Sequence, residues 1–340
     1  MRVVIANFSP PVPKTMDFDG CWSRQVMPER PHRVALFEQK PDWGFHIYAI
    51  GVHLMDRRVA DQVEFWDYSV ERSVRYHSNG ILRALFYNAE DLKAYVRRYG
   101  YPDLFINHGD AEYCQEILEY FSGKCFRVHV PALRFGSGCQ KNYGAECYLV
   151  DSEDFLDERS MLYIPVVNTK QIYPNGCAKK RDFVYIAAHY PGKRQEFLLN
   201  ALRGTELTGH LHPVDGSKLD LSATRVTTSG LNERDVVELL RTSRIGVYPG
   251  DETSNPAAMW ECVAAGLPIV VSGKIRGGKH LVVSGITGEL AGDDEFVDVM
   301  RSVLANRDRY RPREYFIEHW DTIPTIERYL GFFQRMGWRH

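Results

Sequence analysis

No window of the chain approaches the roughly 18 uninterrupted apolar residues that a membrane-spanning helix needs, so no spanning helix is expected. The opening run Met1 to Asn7 is cut off from any signal-peptide core by Pro10, Pro11 and Pro13, and it reads as a first β-strand. An excess of either charge is also missing: Lys and Arg total 42 against 44 for Asp and Glu, a formal net charge of −2. That balance argues against a protein that coats nucleic acid. The seven cysteines, Cys21, Cys114, Cys125, Cys139, Cys147, Cys177 and Cys262, are odd in number and never fall in a C-x-x-C spacing. Reduced cytoplasmic thiols and no zinc or other metal site are expected. Internal repeats and low-complexity segments are lacking too, which sets solenoids and propellers aside.

What is present is ordinary globular material, 44% hydrophobic and 25% charged. At about 100 to 200 residues per domain, the 340 residues predict two domains, each able to bury its own core. Two successive stretches alternate β-branched or aromatic runs with helical patterns, as parallel sheets covered by crossover helices do. In the first, strands are expected at Val3 to Phe8, Val34 to Phe37, His46 to Ile50, Val63 to Tyr68, Leu104 to Asn107, Phe126 to Val130, Cys147 to Val150 and Tyr163 to Val167. Helices are expected at Ala89 to Tyr99 and Ala111 to Tyr120. A polar, turn-rich connection near Asn168 to Arg181 marks the linker.

The alternation then restarts with strands at Phe183 to Ala187, Leu207 to Leu211, Arg225 to Thr228, Ile245 to Pro249 and Pro268 to Ser272. Helices are expected at Lys193 to Leu202, Glu233 to Thr242, Pro256 to Ala265, Lys279 to Ser284 and Asp293 to Asn306. Two more follow at Pro312 to Trp320 and Pro324 to Met336, with Pro324 expected to bend the chain between them.

The richest stretch runs from Ile245 to Leu290. A strand ends in Tyr248, Pro249 and Gly250, a short loop follows, and a helix opening near Pro256 carries Glu261 before another strand begins. Loops leaving the carboxyl ends of parallel strands line the crevice of an open α/β sheet, and a helix opening there aims free N–H groups at an anion. A carboxylate such as Glu261 can accept two hydrogen bonds from a polyol such as ribose; the bland reading is a surface Glu. Gly277 and Gly278 add a loop whose backbone can approach a ligand closely.

The run TSNPAAMWECVAAGLPIVVSGKIRGGKHLVVSGITGEL resembles the donor-binding segment of retaining glycosyltransferases of the GT-B architecture, most closely glycosyltransferase family 4. The resemblance extends through FVYIAAHYPGKRQEFLLNAL and LNERDVVELLRTSRIGVYPG, and in the first half touches PDLFINHGD and IPVVNTKQIYP. It implies two Rossmann-like domains facing across a cleft: residues 1–168 binding the acceptor, residues 169–318 binding a nucleotide-sugar donor, and a C-terminal helix, 319–340, returning to the first domain.

By the same resemblance Glu261 matches the second glutamate of a paired-glutamate motif, which binds the ribose. The first glutamate falls on Thr253, with Glu252 as the neighbouring carboxylate for the sugar contact. Lys193 matches the lysine that neutralises the diphosphate. The accompanying arginine falls on Ala188, which leaves Arg194 or His189 as substitutes. Gly277 and Gly278 match the glycine pair near the donor, and His108 matches the histidine that faces the transferred sugar. The glycine-rich loop of the first domain is missing, with only Asp19 and Gly20 near its place.

Cleavage of a sugar–diphosphate bond develops negative charge on the leaving oxygen, which cations and helix N–H groups stabilise without a metal or any other cofactor. The activity implied is retaining transfer from a nucleotide diphosphate sugar to an acceptor hydroxyl, with domain closure expelling water. The alternatives are a GT-B epimerase or phosphorylase, or a non-catalytic nucleotide-sugar binding protein. The acceptor is a small molecule, a glycan or a lipid-linked intermediate, with nucleic acid disfavoured by the near-neutral charge. Arg72, Arg75, Arg83, Arg97 and Arg98, interleaved with aromatics, suggest peripheral contact with the inner membrane face or a charged acceptor; the bland reading is a solvated surface. Asp151 to Asp154 reads as a helix cap and not as a metal motif.

Overall fold

The computed structural model describes residues 1–7, 48–68, 73–78, 81–86, 88–109, 112–131, 144–167, 169, 172–187, 189, 191–212, 219–229, 233–251 and 255–339. The strand expected at Val34 to Phe37, and Asp19, Gly20, Arg72, Ala188, Glu252 and Thr253, lie outside the described residues. The chain divides into two compact units, one running to Val166 and resuming at Thr322, the other spanning Val167–Asp321.

The first unit contains β1 (Arg2–Asn7), α1 (Tyr48–Asp56), β2 (Gln62–Tyr68), β3 (Val74–Ser78), β4 (Ile81–Phe86), α2 (Ala89–Tyr99), β5 (Leu104–His108), α3 (Glu112–Tyr120), β6 (Phe126–Val130), β7 (Cys147–Val150) and β8 (Ser160–Leu162). Its sheet has the order β3-β4-β2-β1-β5-β6-β7-β8. Every neighbouring pair is parallel except β3 with β4. α2 forms where its pattern predicts. The Asn88 side chain accepts the Asp91 N–H at 2.8 Å, acids occupy the first turn and Arg97 and Arg98 the last, and Leu92 and Val96 are buried. They join Trp66, Phe86, Phe105 and Phe121 in one core on that face of the sheet.

Three expectations change. Of the strand expected at His46 to Ile50, the described residues Tyr48 to Ile50 open helix α1 instead, whose nearly unbroken apolar run shows no helical period to read. Tyr163 to Val167 is not a strand either, because the ladder ends at Leu162, Pro165 has no N–H, and the Ile164 backbone bonds to the Tyr329 hydroxyl. The β3–β4 pair was not anticipated, although Asn79-Gly80 between two β-prone runs is a hairpin signal.

The second unit contains β9 (Arg181–Ile186), α4 (Gln195–Leu202), β10 (Thr208–His212), β11 (Arg225–Thr228), α5 (Glu233–Thr242), β12 (Ser243–Tyr248), α6 (Ala257–Ala264), β13 (Ile269–Ser272), β14 (Gly288–Ala291), α7 (Phe296–Ala305) and α8 (Pro312–His319). Its sheet, in the order β11-β10-β9-β12-β13-β14, is parallel throughout. α6 packs tightly on β12 because Gly246 has no side chain; a Cβ there would stand 2.7 Å from Cys262 Sγ. Lys279 to Ser284 shortens to a 3-10 turn, Lys279–Leu281.

The last helix, α9 (Thr322–Arg335), belongs to the first unit. Phe332, Phe333, Tyr329 and Ile326 are buried there, and Phe333 lies 6.3 Å from Phe126. The break before it falls at Trp320 and Asp321, and Pro324 sits inside the first turn of α9, where a missing N–H costs nothing. Among the described residues no helix is long and apolar enough to cross a membrane.

Candidate functional site

In each sheet the strand order reverses at one place, and there the loops from two adjacent strand ends diverge and leave a crevice. In the second unit that place lies between β9 and β12. The loop after β9 carries Gly192, Lys193 and Arg194, and the loop after β12 carries Asp251. The two loops touch: the Asp251 N–H donates to the Gly192 carbonyl at 3.2 Å. Lys193 is only 9% exposed, which rules out a solvated helix-start lysine. Its carbonyl accepts the Tyr185 hydroxyl at 2.7 Å. Arg194 is engaged elsewhere. Its guanidinium forks onto Asp293 at 3.0 and 2.8 Å and donates to the Pro249 carbonyl at 3.1 Å. Lys274 adds a second cation to Asp293 at 2.6 Å, and these two partners hold the Asp293 carboxyl down at about 2. His189 pairs with Glu196 at 3.3 Å.

α6 opens beside this loop with no side-chain cap of its own. Glu261 is 6% exposed, so it is not the surface glutamate of the bland reading. The neighbouring Cys262 thiol is pushed up to about 12, mainly by burial, and is inert as a nucleophile. Trp260 donates to Asn255 Oδ1 at 2.6 Å, and that same oxygen would lie 2.7 Å from a Cβ on Gly278. Gly278, at φ 80°, is required both by the left-handed backbone and by this approach. Its close neighbour is Asn255, so the glycine joins the loop after β13 to the start of α6. His280 follows, its ring 5.3 Å from Trp260 and 5.8 Å from Trp320. Burial lowers His280 to about 4.

In the first unit the reversal falls between β1 and β5, where Asn7 and His108 are register partners. His108 therefore ends a strand at the crevice of its own sheet. The preceding residue, Asn107, is fully buried and lies 3.1 Å from His129 Nδ1. Burial, with the charge of His108 as second cause, lowers His129 to about 3. The arginine cluster divides. Arg83 is 1% exposed, its guanidinium 5.0 Å from the Phe65 ring, so it is no part of a surface patch. Arg75, Arg98 and Lys124 lie over Tyr99 and Tyr101 on the outside. Ser152 caps a short 3-10 turn, as expected of that acidic stretch.

In the second unit Lys193, Gly277 and Gly278 thus lie on loops that leave the sheet and Glu261 lies in α6, while in the first unit His108 ends β5. Asn255, Tyr185 and Asp293 were not anticipated. Asn255 carried a signal, standing before the proline that opens a helix; Asp293, 99 residues from its partner Arg194, carried none.

Neither a protein-family model nor a curated protein matches the chain by sequence. Solved structures match it along nearly its whole length. Sucrose-phosphate synthase from Thermosynechococcus elongatus aligns with a TM-score of 0.67 at 14% identity, covering 98% of both chains. The lipopolysaccharide outer core galactosyltransferase WaaB gives 0.66 at 14% identity over 98% of this chain and 99% of that one. HepE of Anabaena, solved in complex with UDP, gives 0.66 at 12% identity over 98% and 100%. At these identities the likeness is one of fold: the chain has the two-domain GT-B architecture of these glycosyltransferases.

Proposed function

We propose that the chain is a glycosyltransferase of family 4 type, which moves a sugar from a nucleoside diphosphate sugar to an acceptor hydroxyl with retention and without a metal. The observation that carries this reading is the meeting of the Lys193 loop with the loop that leads into α6 and Glu261, at the reversal of the second sheet. In this reading Glu261 accepts the ribose hydroxyls, Lys193 and the open start of α6 neutralise the diphosphate, and the Gly277–Gly278 turn closes the site. Glu252 or Thr253 supplies the sugar contact, and His108 faces the transferred sugar. The second unit is then the donor domain and the first the acceptor domain. The UDP and UDP-glucose bound in HepE suggest the class of donor.

In the reaction the bond from the anomeric carbon to the phosphate oxygen breaks and the acceptor oxygen bonds to that carbon from the same face. The acceptor proton passes to the departing phosphate. Buried cations and dipoles fixed before the charge develops lower this barrier without reorganising. The acceptor class is a small molecule, a glycan or a lipid-linked intermediate met in the cytoplasm, and the Tyr99, Tyr101, Arg75, Arg98 and Lys124 surface would meet the inner membrane face or a charged acceptor.

The test is donor turnover with a panel of acceptors, followed by NMR of the product anomer. Release of nucleoside diphosphate that persists in EDTA, with the donor's anomeric configuration kept, and a loss of about 10²- to 10³-fold in kcat for Lys193→Ala, is the expected outcome. Inversion, or turnover abolished by EDTA, contradicts it.

A further inference from the structure

We infer that Asp293 is a positioning residue for Lys193, acting through Arg194, and that Arg194 does not itself contact the diphosphate. The inference rests on the donor-site reading above and deepens it. Three consecutive residues of the loop after β9 are each held by a different part of the second unit. The Gly192 carbonyl takes the Asp251 N–H, the Lys193 carbonyl takes the Tyr185 hydroxyl, and Arg194 is held by its side chain. Arg194 is the joint between Lys193 and the rigid helix α4, and it sits at φ 53° and ψ 41°, a left-handed conformation that a non-glycine residue adopts only when its surroundings impose it. Rotation about this φ swings the preceding Lys193 relative to α4, so whatever fixes φ also fixes where Lys193 is delivered.

The surroundings that impose it are visible. The planar guanidinium meets the Asp293 carboxylate with two parallel bonds, donates to the Pro249 carbonyl, and lies 4.1 Å from the Phe197 ring centroid. Both faces of its charge are spoken for: the fork is spent on a carboxylate, and the plane is covered by an aromatic ring. Asp293, standing just past β14, thereby ties the loop after β9 to the loops after β12 and β14, and Lys274 ties in the loop after β13. A residue without contact to the ligand thus sets the geometry of one that has it.

Glycine gives the decisive substitution, because it adopts φ 53° without an anchor. Two readouts are taken on the full chain: UDP, GDP, ADP and TDP binding by calorimetry, and hydrogen exchange without nucleotide at the Arg194 and Asp251 amides, which bond to the Pro191 and Gly192 carbonyls. Asp293→Ala should weaken nucleoside diphosphate binding by roughly five- to tenfold and speed exchange at both amides. Adding Arg194→Gly to Asp293→Ala should restore both, whereas Arg194→Lys, which keeps the cation but not the fork, should resemble Asp293→Ala. Rescue by glycine excludes a merely stabilising role for Asp293, since the double variant recovers neither ion pair. If the Arg194→Gly chain loses binding as fully as Lys193→Ala while Arg194→Lys keeps it, Arg194 is a diphosphate ligand and the inference falls. Unchanged exchange in Asp293→Ala overturns it as well. If the exchange pattern appears as expected but no nucleoside diphosphate binds the native chain, the anchoring stands and the donor-site reading falls instead.

Discussion

Gly278 is the point where two loops of the second unit touch, and a single methyl group there is a severe probe. Gly278→Ala places a Cβ against Asn255 Oδ1 and forces a side chain onto φ 80°. It should destabilise the chain by about 1–3 kcal/mol, read by chemical denaturation, and break the Trp260–Asn255 bond that shapes the start of α6. Tyr185→Phe is subtler: it removes the donor to the buried Lys193 carbonyl and should cost about 1–2 kcal/mol together with nucleotide affinity. An unchanged affinity in that variant would show that the Lys193 backbone needs no such support. At this scale Lys193 and Glu261 were singled out by the resemblance of the runs that carry them, and their burial came only from the structure. Asp293 could not stand out, since its meaning lies in a partner 99 residues away.

Among the elements, α9 shows most plainly how one side chain can dock a whole helix. The Tyr329 hydroxyl donates to the Ile164 carbonyl at 2.8 Å and accepts the Ile164 N–H, doing for that stretch what a neighbouring strand would do. Tyr329→Phe leaves two buried backbone groups unsatisfied and should cost about 2–4 kcal/mol, lowering the unfolding midpoint of the first unit. If the midpoint does not move, α9 is held by its aromatic contacts alone. The same stretch explains a misreading. Tyr163 to Val167 has strand composition, and only a partner far along the chain turns it from ladder to docking segment. α1 was misread for the opposite reason: apolar along nearly its whole length, it has no polar stripe, and length and period could not separate it from a strand. Amphipathic α2 and α5, by contrast, fall where their patterns put them.

For the whole molecule, the β/α alternation made both parallel sheets legible, while the order of their strands, and hence the places where each sheet reverses, came only from the structure. Each unit carries a buried histidine held well below its ordinary value by burial, His129 to about 3 and His280 to about 4. The unfolded chain titrates these rings near the usual 6.5, so between about 4 and 6.5 it binds more protons than the folded one. Stability is therefore full above that window and falls as pH drops through it. Denaturation across pH 4 to 7 should show this decline, and His280→Leu should flatten it; a slope of the opposite sign would contradict the burial of both rings.

The central claim is that the second unit holds a nucleoside diphosphate through Glu261. It is tested most directly by thermal unfolding of the native chain and of Glu261→Ala across nucleoside diphosphates and their sugars. With one ligand at about a hundred times its Kd, the native chain should gain about 2.7 kcal/mol, a rise of about 5–11 °C for a unit of this size, and Glu261→Ala should lose that response. No stabilisation of the native chain by any of them at about 1 mM, where even weak binding shifts the midpoint, or an equal shift in Glu261→Ala, would contradict the account.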